Sequence, residues 1–492
     1  MVANYDVIVV GAGNAALCAA IAAAEEGARV RVLERAPKGK RGGNTWFGDG
    51  AMRFAHEGLL DVRKLVQRMT NKKADLIDLP PYPTDRYIQD LMELSEDRAD
   101  RDLANVLARE SMPTMRWLKQ EGVPFVLLFD TQAYEIKGAF KFWGGVSVKV
   151  KGEGVAFIDS LIERAETLGV EVTYETRAIA LERTSEGLEV EVHRPHDSVR
   201  LRAPAVVLAC GGFESSVRER TRHLGAKWNS AVVRGTEYNH GDGLSMALSM
   251  GAVRAGDWAS CHAVATDTNA PAYGDREKMG DIFKRHSYPL GIVINAHAKR
   301  FLDEGANFRN YTSAQYGREV LRQKGGIAYQ IFDAQVTDYL RAEYSRPEAT
   351  RVEAETIEDL ASALELDPQT LADTVAAYNE AIQTGRFAPA RLDNKSTAEL
   401  NPPKSNWALP IKKPPFVAYP VQCAITFTFG GIQVSERAEV LAEDGEPIEG
   451  LYAAGAMVGG LFYGRYPSGA GLMAGATFGR IAGLDAAEYA RS

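Results

Sequence analysis

The sequence predicts an α/β protein in which a parallel-sheet nucleotide fold is interrupted by an α+β segment and completed by the C-terminus. Three observations lead there. Residues 5–10 (YDVIVV) are an apolar run of the kind buried on both faces of a parallel sheet. A Gly-x-Gly turn follows and opens a helix of small residues over 14–27, with Gly27 placed as its C-cap. Residues 28–34 (ARVRVLE) then alternate as a second strand, closing a βαβ unit of about thirty residues.

The remaining chain arranges itself around that unit. Residues 57–123 read as polar helices with a turn at Pro80-Pro81-Tyr82-Pro83, and 153–168 as a further helix. Short strands follow in 170–208, the last ending at Gly211-Gly212. The texture changes over 260–415, which carries more charge, helices near 314–324, 355–364 and 368–383, and a proline-bearing loop. Strand and glycine signals return with FTFGGIQV and LYAAGAMVGG, and a small-residue helix closes the chain. The expected division is 1–257 and 421–492 for a nucleotide domain in two parts, with 258–420 as a cap.

A chain of 492 residues is long enough for more than one core. With 57 basic and 65 acidic side chains the formal charge is −8, which argues against non-specific nucleic-acid binding. The four cysteines, Cys18, Cys210, Cys261 and Cys423, have no metal, redox or haem spacing. So few cysteines in so long a chain suit a reducing, cytoplasmic compartment. The apolar run near the N-terminus is too short for a signal or a membrane span.

Gly11-Ala12-Gly13-Asn14-Ala15-Ala16 has the spacing of a diphosphate-binding turn. Gly11 permits the turn, Gly13 lets a pyrophosphate approach the backbone, and Ala16 is small enough for helix–strand packing. The helix N-terminus then faces the phosphates. Glu34 ends the second strand about twenty residues on, where an acid binds a ribose hydroxyl and repels an NADP phosphate. Arg35 stands beside it. A second glycine loop, Arg41-Gly42-Gly43-Asn44-Thr45 with Gly48 and Gly50, suits an extended diphosphate carrying a flat ring. Together these point to FAD in a Rossmann-like domain.

Six stretches carry a resemblance that runs almost the whole chain in order. They are VIVVGAGNAAL, GGNT, LACGGF (208–213), HGDGL (240–244), GIVINAHAKRFLDEGANFRNYT (291–312) and the C-terminal GLYAAGAMVGG…GAGLMAGATFGRIAG. The chain resembles the flavoprotein subunits of succinate dehydrogenase and fumarate reductase. GNAALCAA, RGGNTW, DEGANFRNYT and FTFGG make it most similar to the tricarballylate-dehydrogenase and cobalamin-pathway branch. The resemblance implies non-covalent FAD, His56 having the wrong spacing for attachment. It also implies cofactor contacts from Ala178, Ala209, Gly211, Gly212, Asp242, Gly455, Ala456, Gly469, Gly471 and Leu472, and a substrate clamped between cap and flavin.

Desaturating a carbon–carbon bond beside a carboxylate requires a proton to leave one carbon, a hydride to leave the next, and cations to hold the acid. Arg309 matches the family's proton-transferring arginine if one extra residue is allowed in its loop; a carboxylate clamp asks less of a guanidinium. His262 matches the substrate histidine. Lys284-Arg285-His286 replaces a segment where the family has an acid, and three cations together suit a tricarboxylate. Arg465 lies near the second clamping arginine, flanked by Tyr463 and Tyr466, both reserve acid–base candidates because tyrosines do that work in the ketosteroid-dehydrogenase branch of the family the chain resembles. Arg53 is a further residue expected to face substrate. Two departures are plain: phenylalanine stands at 427 where the family has histidine, and Gly455-Ala456 lacks the usual glutamate.

The expected activity is FAD-dependent desaturation of a small polycarboxylate, tricarballylate to cis-aconitate. Reduction of an unsaturated acid, a 3-ketosteroid-type dehydrogenation and a non-desaturating flavoprotein of cobalamin biosynthesis are the alternatives. Electrons go to a separate acceptor. The resemblance implies a membrane-associated iron–sulfur protein, with a quinone as another candidate.

Overall fold

A computed structural model describes residues 5–66, 69–278 and 280–492. Residues 67–68 of the expected polar helical stretch lie outside that description. Val7–Val10 forms the middle of a six-stranded sheet. It pairs in parallel with Val30–Leu33 on one side and Ala205–Leu208 on the other. Glu171–Thr173 extends the first side and Pro447–Ala453 the second, both in parallel, and Glu439–Leu441 caps the far edge antiparallel. The strands at 7–10 and 205–208 are fully buried, as a sheet covered on both faces requires. A strand from the C-terminal sixty residues thus completes a sheet begun at residue 7.

Two helices cover this sheet in close contact, Asn14–Glu25 and Ala470–Arg491. Their approach depends on glycine. A Cβ on Gly479 would lie 2.3 Å from the Ala15 carbonyl oxygen, and one on Gly483 would lie 2.2 Å from that of Ala19. No side chain fits there, so the spacing of four between these glycines sets how near the two helices lie. The N-terminal ends of both helices thereby reach the same cavity.

A second sheet of six strands is built on the long strand Phe416–Thr428. Ile327–Phe332, Cys261–Asp267 and Val352–Ala354 pair with it antiparallel, Val232–Val233 pairs in parallel, and Ile292–Asn295 joins through Ile327–Phe332. The expected boundary at 420/421 falls inside this strand. Residues 421–428 therefore continue the second sheet, because their backbone hydrogen bonds go to Cys261–Asp267 and not to the nucleotide sheet. Helix Arg309–Arg322 packs against Cys261–Asp267 and Phe416–Thr428. It starts five residues before the expected 314, which puts Arg309 in its first turn. Among the described residues no helix is long and apolar enough to cross a membrane.

Candidate active site

One cavity of about 270 Å³ runs from the ends of the parallel strands to the second sheet. At its nucleotide end the backbone does the shaping. Gly11 has φ +109°, and a Cβ there would lie 2.6 Å from the Ala209 carbonyl oxygen, so the turn and the neighbouring strand end can meet only through glycine. A Cβ on Gly13 would meet nothing nearer than 3.8 Å, so its bare face opens on the cavity. The Asn14 backbone N–H donates to Thr45 Oγ1 at 3.2 Å, tying the first glycine loop to the second. Asn44 does more. Its Nδ2 donates to Glu214 (2.7 Å) and the Thr426 carbonyl (2.6 Å), and its Oδ1 accepts from the Thr236 N–H (2.8 Å). Glu34 lines the cavity from a buried position, accepting the Ala36 N–H at 2.7 Å. Burial pushes its carboxyl up, and the backbone N–H groups of Ala36 and Ala12 oppose that.

Most residues expected at the cofactor do line this end. Gly11, Gly13, Asn14, Ala15, Glu34, Arg35, Gly43, Asn44, Thr45 and Gly48 lie on its walls. So do Ala178, Ala209, Gly211, Asp242, Gly455, Ala456, Gly469, Gly471 and Leu472. Five expected residues do not. Ala16 is packed beneath the turn, and Gly42 and Gly50 hold positive-φ corners against Ile158 and Val150. Arg41 turns outward to Asp159 at 2.6 Å. Gly212 makes room for Thr428, whose Oγ1 would lie 2.2 Å from a Cβ there. His56 also stands off the cavity, its Nδ1 accepting the Gly58 N–H.

At the other end side chains do the shaping. Strand Cys261–Asp267 pairs His262 with Phe427 but Ala263 with Ile425, so Thr426 is an extra residue in a bulge. The bulge frees the Thr426 carbonyl for Asn44 and its hydroxyl for Arg234 (2.8 Å), linking the two ends. His262 packs 4.6 Å from the Tyr466 ring and 5.4 Å from Phe427. Phe429 and Phe462 extend this into an aromatic wall. Tyr466 Oη accepts the Gly469 N–H at 2.9 Å, which leaves its own proton available.

Arg309 lines the same cavity from the first turn of its helix. Its Nη2 donates to the Thr131 carbonyl at 2.7 Å, its Nη1 lies 3.4 Å from His286 Nδ1, and its Nε is buried without a partner. Among the described residues no carboxylate lies within 4 Å of it. Burial, and next Arg341, lower its proton affinity. His286 Nε2 and His262 Nδ1 are likewise buried and unpartnered. Burial holds both imidazoles well below the usual histidine range, with Arg234 adding to this at His262 and Arg309 at His286. Both are neutral at pH 7 and offer hydrogen bonds, not charge.

The structure thus takes apart the expected basic cluster. Arg285 is fully buried away from the cavity, paired to Asp267 at 2.7 Å. Lys284 pairs with Asp49 at 3.1 Å. Arg465, expected to clamp substrate, points outward to Glu96 at 3.4 Å and is absent from the cavity wall. Tyr463 also leaves, lying under Arg98. Arg53, expected to face substrate, is sealed in the core, where it donates to Tyr82 and to the Ser468 and Gly144 carbonyls. Its work is to fix the closing loop. Three cations on the cavity wall were not expected from the sequence, Lys40, Arg177 and Arg234, and the last pairs with Asp281 at 2.6 Å close to the second sheet. Nothing in its local sequence marks it.

A nucleotide cradle that opens at one end onto buried, unpartnered donors is the build of a protein that runs chemistry with a bound dinucleotide. The comparisons with known proteins narrow the class. A family model described as an FAD binding domain matches residues 6–472. The chain belongs to that FAD-binding family, and its cofactor is FAD. It is 28% identical over 550 residues to the NADH:acrylate oxidoreductase of Vibrio harveyi, covering 99% of this chain and 50% of that one. The chain therefore spans half the length of that relative. It is 26% identical over 519 residues to the vinyl phenol reductase of Lactiplantibacillus plantarum, covering 99% and 97%. A solved open conformation of a flavocytochrome c3 fumarate reductase superposes with a TM-score of 0.72 at 24% identity, covering 99% and 79%. That last likeness shows the fold alone. The bare face of Gly13, the Glu34 carboxyl and the paired helix N-termini fit the diphosphate and ribose of FAD.

Proposed function

We propose that this protein is an FAD-dependent oxidoreductase that moves two hydrogens across a carbon–carbon bond next to a carboxylate. The observation that carries the reading is Arg309, a guanidinium buried at the cavity wall with an unpartnered Nε and, among the described residues, no carboxylate within 4 Å. A buried charge without a counter-ion is costly, and a substrate carboxylate supplies one. The bound flavin supplies hydride chemistry. The chain holds the acid at Arg309, orients it with neutral His286 and His262, and excludes water with Phe427, Phe429 and Phe462. Proton exchange falls to Arg309, whose proton affinity burial lowers, or to Tyr466, whose hydroxyl hydrogen is uncommitted.

The finer expectation, tricarballylate to cis-aconitate, is the polycarboxylate case of this chemistry. Its support is the basic cluster together with Arg465, but Asp49 pairs with Lys284, Asp267 with Arg285 and Glu96 with Arg465. Among the described residues of this cavity's wall Arg309 is the guanidinium left without a carboxylate, and with the aromatic wall of the same cavity it suits an unsaturated monocarboxylate with a flat body better. The reductase relatives point to the same direction of hydrogen transfer. Electrons then come from a separate donor protein or carrier. The 3-ketosteroid reading draws on Tyr466 and the phenylalanine wall, but it leaves Arg309 without a counter-charge.

The test is anaerobic. FAD-loaded protein is reduced, then mixed with cinnamate, urocanate, acrylate, fumarate or cis-aconitate while flavin absorbance near 450 nm is followed. Rapid reoxidation by at least one α,β-unsaturated acid is expected, with cinnamate or urocanate faster than cis-aconitate. If a 4-en-3-one steroid reoxidises the flavin and no unsaturated acid does, the reading is wrong.

A further inference from the structure

A second, smaller space of about 20 Å³ lies behind the wall formed by Arg309 and His286, which line both cavities. Its remaining walls include Tyr134, Trp143, Phe308 and Arg341. Both guanidiniums lie near the Trp143 ring, that of Arg309 at 5.3 Å and that of Arg341 at 6.0 Å from its centroid. Arg341 also lies over Tyr134 at 4.2 Å, and its Nη1 donates to the carbonyls of Asp130 (3.2 Å) and Ala133 (3.1 Å).

Of the unpartnered groups around this space three share one character, and the fourth, His286 Nε2, donates or accepts according to its tautomer. Arg341 Nη2, Arg309 Nε and Trp143 Nε1 are all buried, all without a hydrogen-bond partner, and all able only to donate. Arg309 and Arg341 are each about nine-tenths buried. Among the described residues neither has a carboxylate within 4 Å, and Glu343 acts on Arg309 only from farther away. Two like charges brought together in a low-dielectric interior repel, and each already bears a desolvation cost. Phe308 and Arg309 also open the helix Arg309–Arg322, whose N-terminal end adds positive potential. Water would satisfy the donors but would not balance the charge.

We propose that this space is a built anion site, taking a carboxylate-sized monoanion between Arg309 and Arg341. The anion offsets one of the two charges, fixes Arg309 from behind, and sets how strongly that guanidinium acts on a substrate in the main cavity. Two sources share this chemistry, a free small anion and a second carboxylate carried by the substrate. The inference goes beyond the reaction proposed above and does not need it to be right.

The test reads binding on the oxidised, FAD-loaded protein without turnover. Formate is titrated against sodium sulfate at matched ionic strength, following thermal midpoint and tryptophan fluorescence. A saturable response to formate and none to the bulkier sulfate is expected. Arg341→Gln should raise the formate concentration for half-saturation about tenfold or more, the scale of one lost charge-assisted contact. Trp143→Phe keeps the ring and removes the N–H; it should weaken the thermal response and report independently if Arg341→Gln folds poorly. An unchanged formate response in both variants, or an equal response to sulfate, overturns the proposal. Adding trans-cinnamate and then succinate assigns the source. Additive binding with both marks a free-anion site, whereas displacement of formate by the dicarboxylate alone marks a second substrate carboxylate.

Discussion

The two ends of the main cavity are made in different ways. The nucleotide end is backbone held by glycine: Gly11 at φ +109°, Gly469 at φ +84°, and the Gly479 and Gly483 contacts that bring two helix N-termini together. The substrate end is made of side chains, held by backbone and side-chain partners drawn from distant segments. Arg309 rests on the Thr131 carbonyl and His262 on the Tyr466 ring, and Asn44 ties this end to the nucleotide loop through three segments scattered between residues 214 and 426. A backbone site tolerates no added atom, whereas a side-chain site can lose one member and stand. The first end should therefore fail as a fold, and the second as a reaction.

The largest effect is expected at the helix contact. Gly479→Val places atoms on the Ala15 carbonyl and should cost about 3 kcal/mol or more, the range for an overpacked core. Denaturant midpoint and bound-flavin absorbance should fall together. A variant with full stability and full FAD would break the claim that glycine spacing sets this end. Arg309→Met should leave FAD content intact while turnover with the best unsaturated acid drops about a hundred- to a thousand-fold, as for loss of one preorganised charge. Steady-state kinetics beside a flavin-content assay separates that outcome from loss of cofactor.

Glu214 sharpens the comparison because it braces both ends through Asn44 and Asn239. Burial raises its carboxyl from 4.5 to about 7, with the Asn239 and Asn44 amides opposing. The folded protein then keeps a proton that the unfolded chain releases above about 4.5. Stability from this group is greatest below the unfolded value and falls as pH climbs towards 7, by up to roughly 3 kcal/mol. Urea unfolding at pH 5 and pH 8 should show that loss, and Glu214→Gln should flatten it. The smallest effect belongs to Arg465→Ala. An exposed pair at 3.4 Å contributes under about 1 kcal/mol, and turnover should stay within about twofold. A large drop in turnover would return Arg465 to the substrate.

The same contrast explains which residues the sequence reveals. Gly11, Gly13, Glu34 and Gly43–Thr45 are legible because a tight turn and a helix N-terminus impose their demands within a few residues. Arg285 and Arg465 are not, since their direction depends on Asp267 and Glu96. Glu96 lies 369 residues from its partner. Arg234 and Arg341 carry no local mark at all. The bulge at Thr426 is equally hidden, because it exists only against Cys261–Asp267.

By itself the sequence determined the α/β class, the βαβ unit and a flavin-sized dinucleotide cradle, because periodicity and glycine spacing act over short range. The tertiary structure alone decided which cations are neutralised, which imidazoles are buried, and that Arg309 and Arg341 share one space without a carboxylate partner among the described residues. Charge in a protein interior is set by whatever the fold brings within a few ångströms, and those neighbours are drawn from the whole chain.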